Sequence, residues 1–124
     1  HLREKIPDRL NEHIYYGICT YGEHPEIANF YMPGVEIAHE QHLPVPLLCR
    51  TLPTQNYAVF RYIGFHAPEQ LSMQNLGALY DLIDQKWYPY TNHTQSAPYH
   101  FERMDLHSCS PTYCETDIYI PISS

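Results

Sequence analysis

One glutamate stands where a carboxylate could act on a ligand. Glu102 follows Phe101 in the segment His100 to Leu106, which has the aromatic and aliphatic content of a β-strand. Side chains alternate between the two faces of a strand, so if Phe101 faces a covering helix, Glu102 points away from it together with His100 and Met104. A carboxylate among aromatic rings is partly desolvated. Such a carboxylate favours a cationic ligand, and each aromatic ring face contributes a further amount of about 0.5–2 kcal/mol, the strength of a cation–π interaction, to the binding free energy.

Tyrosines could form the walls of such a site. The chain contains twelve, and tyrosine is flat, largely apolar and able to hydrogen-bond. In the last predicted strand, alternation places Ile118, Ile120 and Ile122 on the helix side and Tyr119 on the side of Glu102. The alternative is that Glu102 is an ordinary solvated strand residue and that most tyrosines serve packing.

Four further residues are candidate ligand contacts: Trp87, Tyr62, Tyr16 and Met104. Trp87 lies on the apolar stripe of a predicted helix, where core packing is the favoured interpretation. Tyr62 shares a strand face with Phe60, opposite Val59, and the sequence does not decide which face borders a cleft.

Histidines and cysteines could instead hold a metal ion. His39-Glu40-Gln41-His42 spaces its histidines at i and i+3 with Pro44 close behind, which departs from the HExxH helix of zinc hydrolases. His107, Cys109 and Cys114 lack the paired spacing of structural zinc sites. We therefore predict reduced cysteines, no metal site and no cofactor. The sequence also contains no serine-nucleophile, P-loop or dinucleotide fingerprint.

The hydrophobic pattern of the sequence predicts the strands and the helix that position these residues. Segments rich in β-branched and aromatic residues predict strands at 13–22, 29–38, 55–65, 100–106 and 117–122. A helix is predicted from Pro68 to Trp87, because apolar residues recur at helical spacing from Leu76 onward, and Pro89 ends it. Prolines between residues 39 and 53 predict a crossing loop.

The order of these elements predicts an α+β fold built of two related units with antiparallel sheets. Residues 55–124 form a complete strand-helix-strand-strand unit. Residues 1–54 contain the remainder of a first unit, which lacks its opening strand and most of its helix, followed by the crossing loop. We expect residues 1–124 to form one domain, since the chain is too short for two.

Charge and hydropathy exclude several classes of partner. Seven Lys and Arg against fourteen Asp and Glu give a net charge of −7, so we expect no direct contact with nucleic acid. No apolar run approaches the roughly 18 residues that span a bilayer, and no leader pattern is visible, which predicts a cytoplasmic protein without a membrane partner. The chain begins at His1 without a methionine, which suggests part of a longer protein.

Several stretches occur in an order and spacing that together resemble a known family. They are Tyr57-Ala58-Val59-Phe60 with Gly64, Leu79-Tyr80 through Trp87, Phe101-Glu102-Arg103, and Thr116 to Ile122. Across roughly residues 13–122, the chain resembles the GyrI-like, or AraC-type effector-binding, family. The resemblance implies two pseudo-symmetric strand-helix-strand-strand units around a central cleft. It also implies that Glu102 matches a glutamate that pairs with cationic aromatic compounds. Met104 stands where many relatives have tyrosine.

The resemblance implies a binding domain for small, amphipathic or cationic aromatic effectors, including multiple drugs. The domain would be the sensing part of a transcription regulator with a DNA-binding domain upstream of His1, and a second copy of the chain is another candidate partner. One alternative is a free-standing hydrolase of strained electrophilic molecules, with Glu102 as general base and Tyr119 as acid. Another is a gyrase-modulating or drug-sequestering protein. We favour a binder over an enzyme.

Overall fold

A computed structural model describes residues 6, 9–21, 30–38 and 51–123 of the chain. Within this part there is one α-helix, α1 (Met73–Leu82). The strands are β1 (Arg9–Leu10), β2 (Ile14–Thr20), β3 (Phe30–Gly34), β4 (Glu36–Ile37), β5 (Tyr57–Gly64), β6 (Tyr99–Asp105) and β7 (Cys114–Pro121). The predicted α+β class with antiparallel sheets is confirmed.

Five strands form one antiparallel sheet in the order β3-β2-β6-β7-β5, and β1 pairs with β4 in a small separate ladder. The pair β2–β6 runs from Ile14↔Asp105 to Thr20↔Tyr99 and joins the two predicted units. Strands of both units therefore contribute to a single sheet, instead of to two sheets that face each other. This pairing satisfies backbone groups that would otherwise form an open sheet edge between the units.

The predicted strands are present, with shifted ends. β2 and β3 pair in an antiparallel arrangement, but the second predicted strand is divided between β3 and β4 at Val35. The last strand begins at Cys114, three residues before the predicted start at Asp117. Residues 39–50, which contain most of the predicted crossing loop and the segment from His39 to His42, lie outside the described residues.

The predicted helix begins later than the sequence pattern suggests. Pro68–Gln70 forms a separate 3₁₀ turn, and α1 starts after Ser72, whose hydroxyl accepts a hydrogen bond from the backbone N–H of Asn75 at 3.4 Å. Serine is a strong N-cap because it satisfies an N–H that the first turn leaves free. A wide π-type turn, Ile83–Trp87, continues α1. No helix within the described ranges is long and apolar enough to cross a membrane.

Both faces of the five-stranded sheet carry apolar clusters. On the face covered by α1, which we call the helix face, Leu76 and Ile83 pack against Ile118 and Ile120. The opposite surface, which we call the far face, carries a second cluster. Its buried members are Ile18, Tyr99 and Phe101, joined by partly buried residues that include Tyr16, Tyr57 and Tyr119. Phe101 therefore does not face the helix, and the sequence-based assumption that it does is wrong.

Candidate functional site

Strand register fixes the side of the sheet on which Glu102 lies. Glu102 is opposite Ile118, and Phe101 is opposite Tyr119. Residues directly opposite each other in an antiparallel pair project from the same face. Glu102 therefore lies on the helix face beside Ile118, whereas Tyr119 lies on the far face, stacked on Phe101 with ring centroids 4.7 Å apart. The expectation that Glu102 and Tyr119 share one side of the sheet is wrong.

A cavity of about 280 Å³ opens on the helix face beside α1. We call it the Glu102 pocket. The sheet contributes Cys19 and Tyr21 from β2 and its end, Tyr31 from β3, and His100 and Glu102 from β6. The helix contributes Met73 and Tyr80. The pocket is thus enclosed by strands of both predicted units together with the helix of the second.

The carboxylate of Glu102 is buried, with 8% of the residue exposed. The hydroxyl of Tyr80 donates a hydrogen bond of 2.7 Å to Oε2, and none of the described residues that line the pocket is a lysine or arginine. Burial raises the pKa of Glu102, and the Tyr80 hydrogen bond lowers it in part. The carboxylate has a hydrogen-bond donor but no cationic partner in the described part of the chain.

His100 does not supply the missing positive charge. Its Nδ1 is hydrogen-bonded to the hydroxyl of Tyr21, and its ring lies near that of Tyr80, with centroids 5.2 Å apart. Burial lowers the pKa of His100, which favours the neutral imidazole. Cys19 lies opposite His100 in the β2–β6 pair. Burial, followed by the charge of Glu102, raises the pKa of the Cys19 thiol to about 11.

A glycine in β2 makes room for one aromatic wall. Gly17 lies opposite Glu102, and a Cβ at this position would meet the hydroxyl of Tyr31 and lie 2.6 Å from its ring carbon Cζ. The absent side chain lets the Tyr31 ring lie across the strand next to the carboxylate. The charge of Glu102 also contributes to the raised pKa of Tyr31, after burial.

Two of the predicted contact residues belong to the core or its edge. The ring of Trp87 packs against Phe60 at a centroid distance of 5.0 Å, as expected for a residue on the apolar stripe. Tyr62 is on the helix face and packs against the same cluster, with its hydroxyl hydrogen-bonded to His66 at 2.8 Å. Neither lines the Glu102 pocket.

Tyr16 and Met104 also lie outside this pocket. Tyr16 is on the far face, where its hydroxyl donates to Glu36 at 3.2 Å. Met104 follows Glu102 by two residues and lies opposite Tyr15, further along the strand. Of the residues predicted for the site, Glu102 is the one that the pocket contains.

Five lining residues were not predicted for the site: Cys19, Tyr21, Tyr31, Met73 and Tyr80. Tyr80 was recognised only as part of the apolar helical stripe. Cys19, Tyr21 and Tyr31 depend on the β2–β6 pairing, which joins segments about 80 residues apart, whereas Met73 is the first residue of α1. Alternation did identify His100 as sharing a side with Glu102, and this is confirmed.

Two groups of side chains in the described residues have metal-ligand chemistry. They are Cys19 with His100 and Glu102, and His13 with Asp105 and His107. The first is part of the Glu102 pocket. The second lies where β6 ends and β2 begins.

Comparison with known proteins bears on the class of this site. No curated protein matches the chain. The model of the family Cass2, described as integron-associated effector binding protein, matches residues 2–122. This agrees with the resemblance to GyrI-like effector-binding proteins and supports a small-molecule binding domain. The chain belongs to the Cass2 family of integron-associated effector binding proteins.

Proposed function

We propose that the Glu102 pocket binds an amphipathic organic cation, with Glu102 as its counter-charge. The observation that carries this proposal is a carboxylate with 8% exposure that has a hydroxyl donor but no described cationic partner. A buried ionised group without a partner costs several kcal/mol. A cationic ligand offsets that cost, whereas a neutral ligand leaves it in place.

The other lining residues favour a flat aromatic ligand. Tyr21, Tyr31 and Tyr80 line the pocket, and aromatic rings attract both cations and aromatic surfaces. Met73 is 72% exposed at the pocket opening, and its unbranched thioether side chain adapts to ligands of different shape. These features favour recognition of a class of cationic aromatic compounds, including several drugs, over recognition of one molecule.

A role in transcription regulation is a further proposal. A ligand in this pocket contacts α1, β2, β3 and β6 at once, so its binding free energy can favour one arrangement of these elements. In a longer protein that carries a DNA-binding domain, this preference would alter DNA affinity. Operator binding by the full-length protein, measured with and without a cationic ligand, tests the proposal. Equal DNA affinity under both conditions would contradict it.

The geometry does not support the hydrolase alternative in the form that pairs Glu102 as base with Tyr119 as acid. Glu102 and Tyr119 lie on opposite faces of the sheet, so they cannot act as a general base and acid on one substrate.

Glu102→Gln tests the binding proposal directly. It removes the charge and retains an oxygen that can accept the Tyr80 hydrogen bond. We expect affinity for a cationic aromatic dye to fall at least about tenfold, or ~1.4 kcal/mol, while a neutral dye of similar shape binds equally well. Fluorescence anisotropy measures both affinities.

The matched control is Glu36→Gln, which removes the same charge from an exposed residue that contacts Tyr16. It should leave both affinities unchanged. If Glu102→Gln lowers the affinity for the cationic and the neutral dye equally, or lowers neither affinity, Glu102 is not the counter-charge.

A further inference from the structure

Three side chains in the Glu102 pocket form the donor set of a transition-metal site. The thiol of Cys19, a ring nitrogen of His100 and a carboxylate oxygen of Glu102 all lie within 4.8 Å of one another. We propose that these residues bind a divalent metal ion of borderline softness, Zn²⁺ foremost, as a second class of ligand for this pocket. A combination of sulfur, nitrogen and oxygen donors selects Zn²⁺ over Mg²⁺ and Ca²⁺, which prefer oxygen alone.

The sheet holds the three donors in a fixed relation. Cys19 is directly opposite His100 in the β2–β6 pair, and Glu102 follows His100 by two residues on the same face. Gly17, opposite Glu102, places no side chain between Glu102 and the neighbouring strand. All three donors therefore project from paired central strands, which position ligands more accurately than loops.

Outer hydrogen bonds support two of the three donors. Tyr80 donates to Oε2 of Glu102 at 2.7 Å, and the hydroxyl of Tyr21 is hydrogen-bonded to Nδ1 of His100. Metal-binding histidines and carboxylates are commonly oriented by such contacts. Because Nδ1 already contacts Tyr21, a metal at His100 would use Nε2, and Nδ1 would then carry the proton and donate it to the Tyr21 oxygen.

Charge and coordination number also match. A thiolate at Cys19 and a carboxylate at Glu102 neutralise a divalent ion, which gives an uncharged complex in an otherwise tyrosine-lined site. Three protein ligands leave the fourth tetrahedral position of Zn²⁺ open toward the cavity of about 280 Å³, where water can bind.

The other candidate group fits a metal less well. The rings of His13 and His107 are stacked at 3.8 Å with an angle of 1° between their planes. Nitrogen lone pairs lie in the ring plane, so those of two parallel rings do not converge on one ion. Asp105 also already accepts a hydrogen bond from the backbone of His107 at 2.9 Å.

The metal proposal does not depend on the organic cation. Both ligands use Glu102, so each should exclude the other, but the metal alone requires the thiol of Cys19 as a donor atom.

Metal titration of the reduced 124-residue chain tests the proposal. We expect one Zn²⁺ per chain by calorimetry, and Co²⁺ should give the near-ultraviolet charge-transfer band of a cobalt–thiolate bond. Cys19→Ser should abolish this band and weaken Zn²⁺ binding at least about tenfold. The control Cys109→Ser removes a partly buried thiol outside the pocket and should change neither result.

A second measurement uses the unmutated protein, in case Cys19→Ser fails to fold. Alkylation followed by peptide mapping should show that Zn²⁺ protects Cys19. Zn²⁺ binding that survives Cys19→Ser but is lost in His107→Ala, or alkylation of Cys19 at the same rate with and without Zn²⁺, would overturn the proposal. Dye binding by the unmutated, metal-free protein separates this outcome from failure of the proposed function.

Discussion

Glu102 carries a charge that its surroundings disfavour. Burial raises the pKa of the carboxyl group, so the folded state binds a proton more tightly than the unfolded chain does. The resulting loss of folding stability is absent at pH values below the pKa of Glu102 in the unfolded chain. It grows as pH rises through the pKa of Glu102 in the folded protein. At neutral pH the empty fold is thus less stable than it would be with a neutral residue, a cost typical of ligand-binding sites.

The raised pKa of Glu102 predicts how cation binding depends on pH. Above this pKa the carboxylate is charged and attracts a cation, and below it the affinity should fall to that of Glu102→Gln. Tyr80→Phe removes the hydrogen bond that lowers the pKa, so the midpoint of the affinity profile should move to higher pH. Dye titrations from acidic to neutral pH measure the midpoint.

The control for this shift is Tyr88→Phe, which removes a hydroxyl that contacts Gln95 at 3.5 Å outside the pocket. Its profile should match that of the unmutated protein. A midpoint that stays in place in Tyr80→Phe would mean that another group governs the pH dependence.

The sequence identified Glu102 but not the side of the sheet on which it lies. Alternation divides the residues of β6 into two sets, with His100 in the set of Glu102 and Phe101 in the other. It does not say which set faces α1. The aromatic residue at position 101 favours the interpretation that Phe101 faces the helix. The far face has its own apolar cluster with Tyr57 and Tyr119, however, so apolar character does not distinguish the two faces of the sheet.

At the scale of elements, local signals were sufficient for strands and helix but not for their contacts. β5 and the stripe on α1 follow from composition and spacing, because these patterns act within one segment. The predicted start of the helix is too early, because Pro68 and Ser72 are both residues that commonly begin a helix. Ser72 caps α1, whereas Pro68 begins a separate turn. The pocket needs β2 beside β6, which no local pattern specifies.

The pairing of β2 and β3 predicts the effect of a methyl group at residue 17. Gly17→Ala must displace the Tyr31 ring, which forms one pocket wall. Loss of one ring face should weaken cationic dye binding by about 0.5–2 kcal/mol, or roughly 2- to 30-fold. The ring is 53% exposed and can move into solvent, so the free energy of unfolding should change by less than about 1 kcal/mol. Anisotropy and urea denaturation measure the two quantities.

Gly34→Ala is the matched control, because a Cβ there meets no atom within 4 Å. Its dye affinity should equal that of the unmutated protein. If Gly17→Ala also binds the dye normally, Tyr31 is not a wall that ligands use.

At the scale of the molecule, the two predicted units share a sheet, and each half of the pocket comes from a different unit. β2 belongs to residues 1–54 and β6 to residues 55–124, yet the two strands pair along seven residues of β2. Residues of the first unit also pack into the far-face cluster, where Ile18 is buried beside Phe101. The far-face cluster therefore combines residues of both units, which favours the predicted single domain of residues 1–124.

One cooperative domain predicts that damage in the first unit unfolds the second. Ile18→Ala should lower the free energy of unfolding by about 2–4 kcal/mol, because it leaves a cavity at a position only 8% exposed. Trp87 is the single tryptophan and packs against Phe60 in the second unit, so its fluorescence reports on that unit. Its urea midpoint should fall together with that of far-ultraviolet circular dichroism.

Ile63→Ala, at a residue 50% exposed, should shift both midpoints far less. A fluorescence midpoint that stays fixed in Ile18→Ala while the dichroism midpoint falls would show that the units unfold separately, and a ligand bridging them would then have to assemble the pocket as it binds.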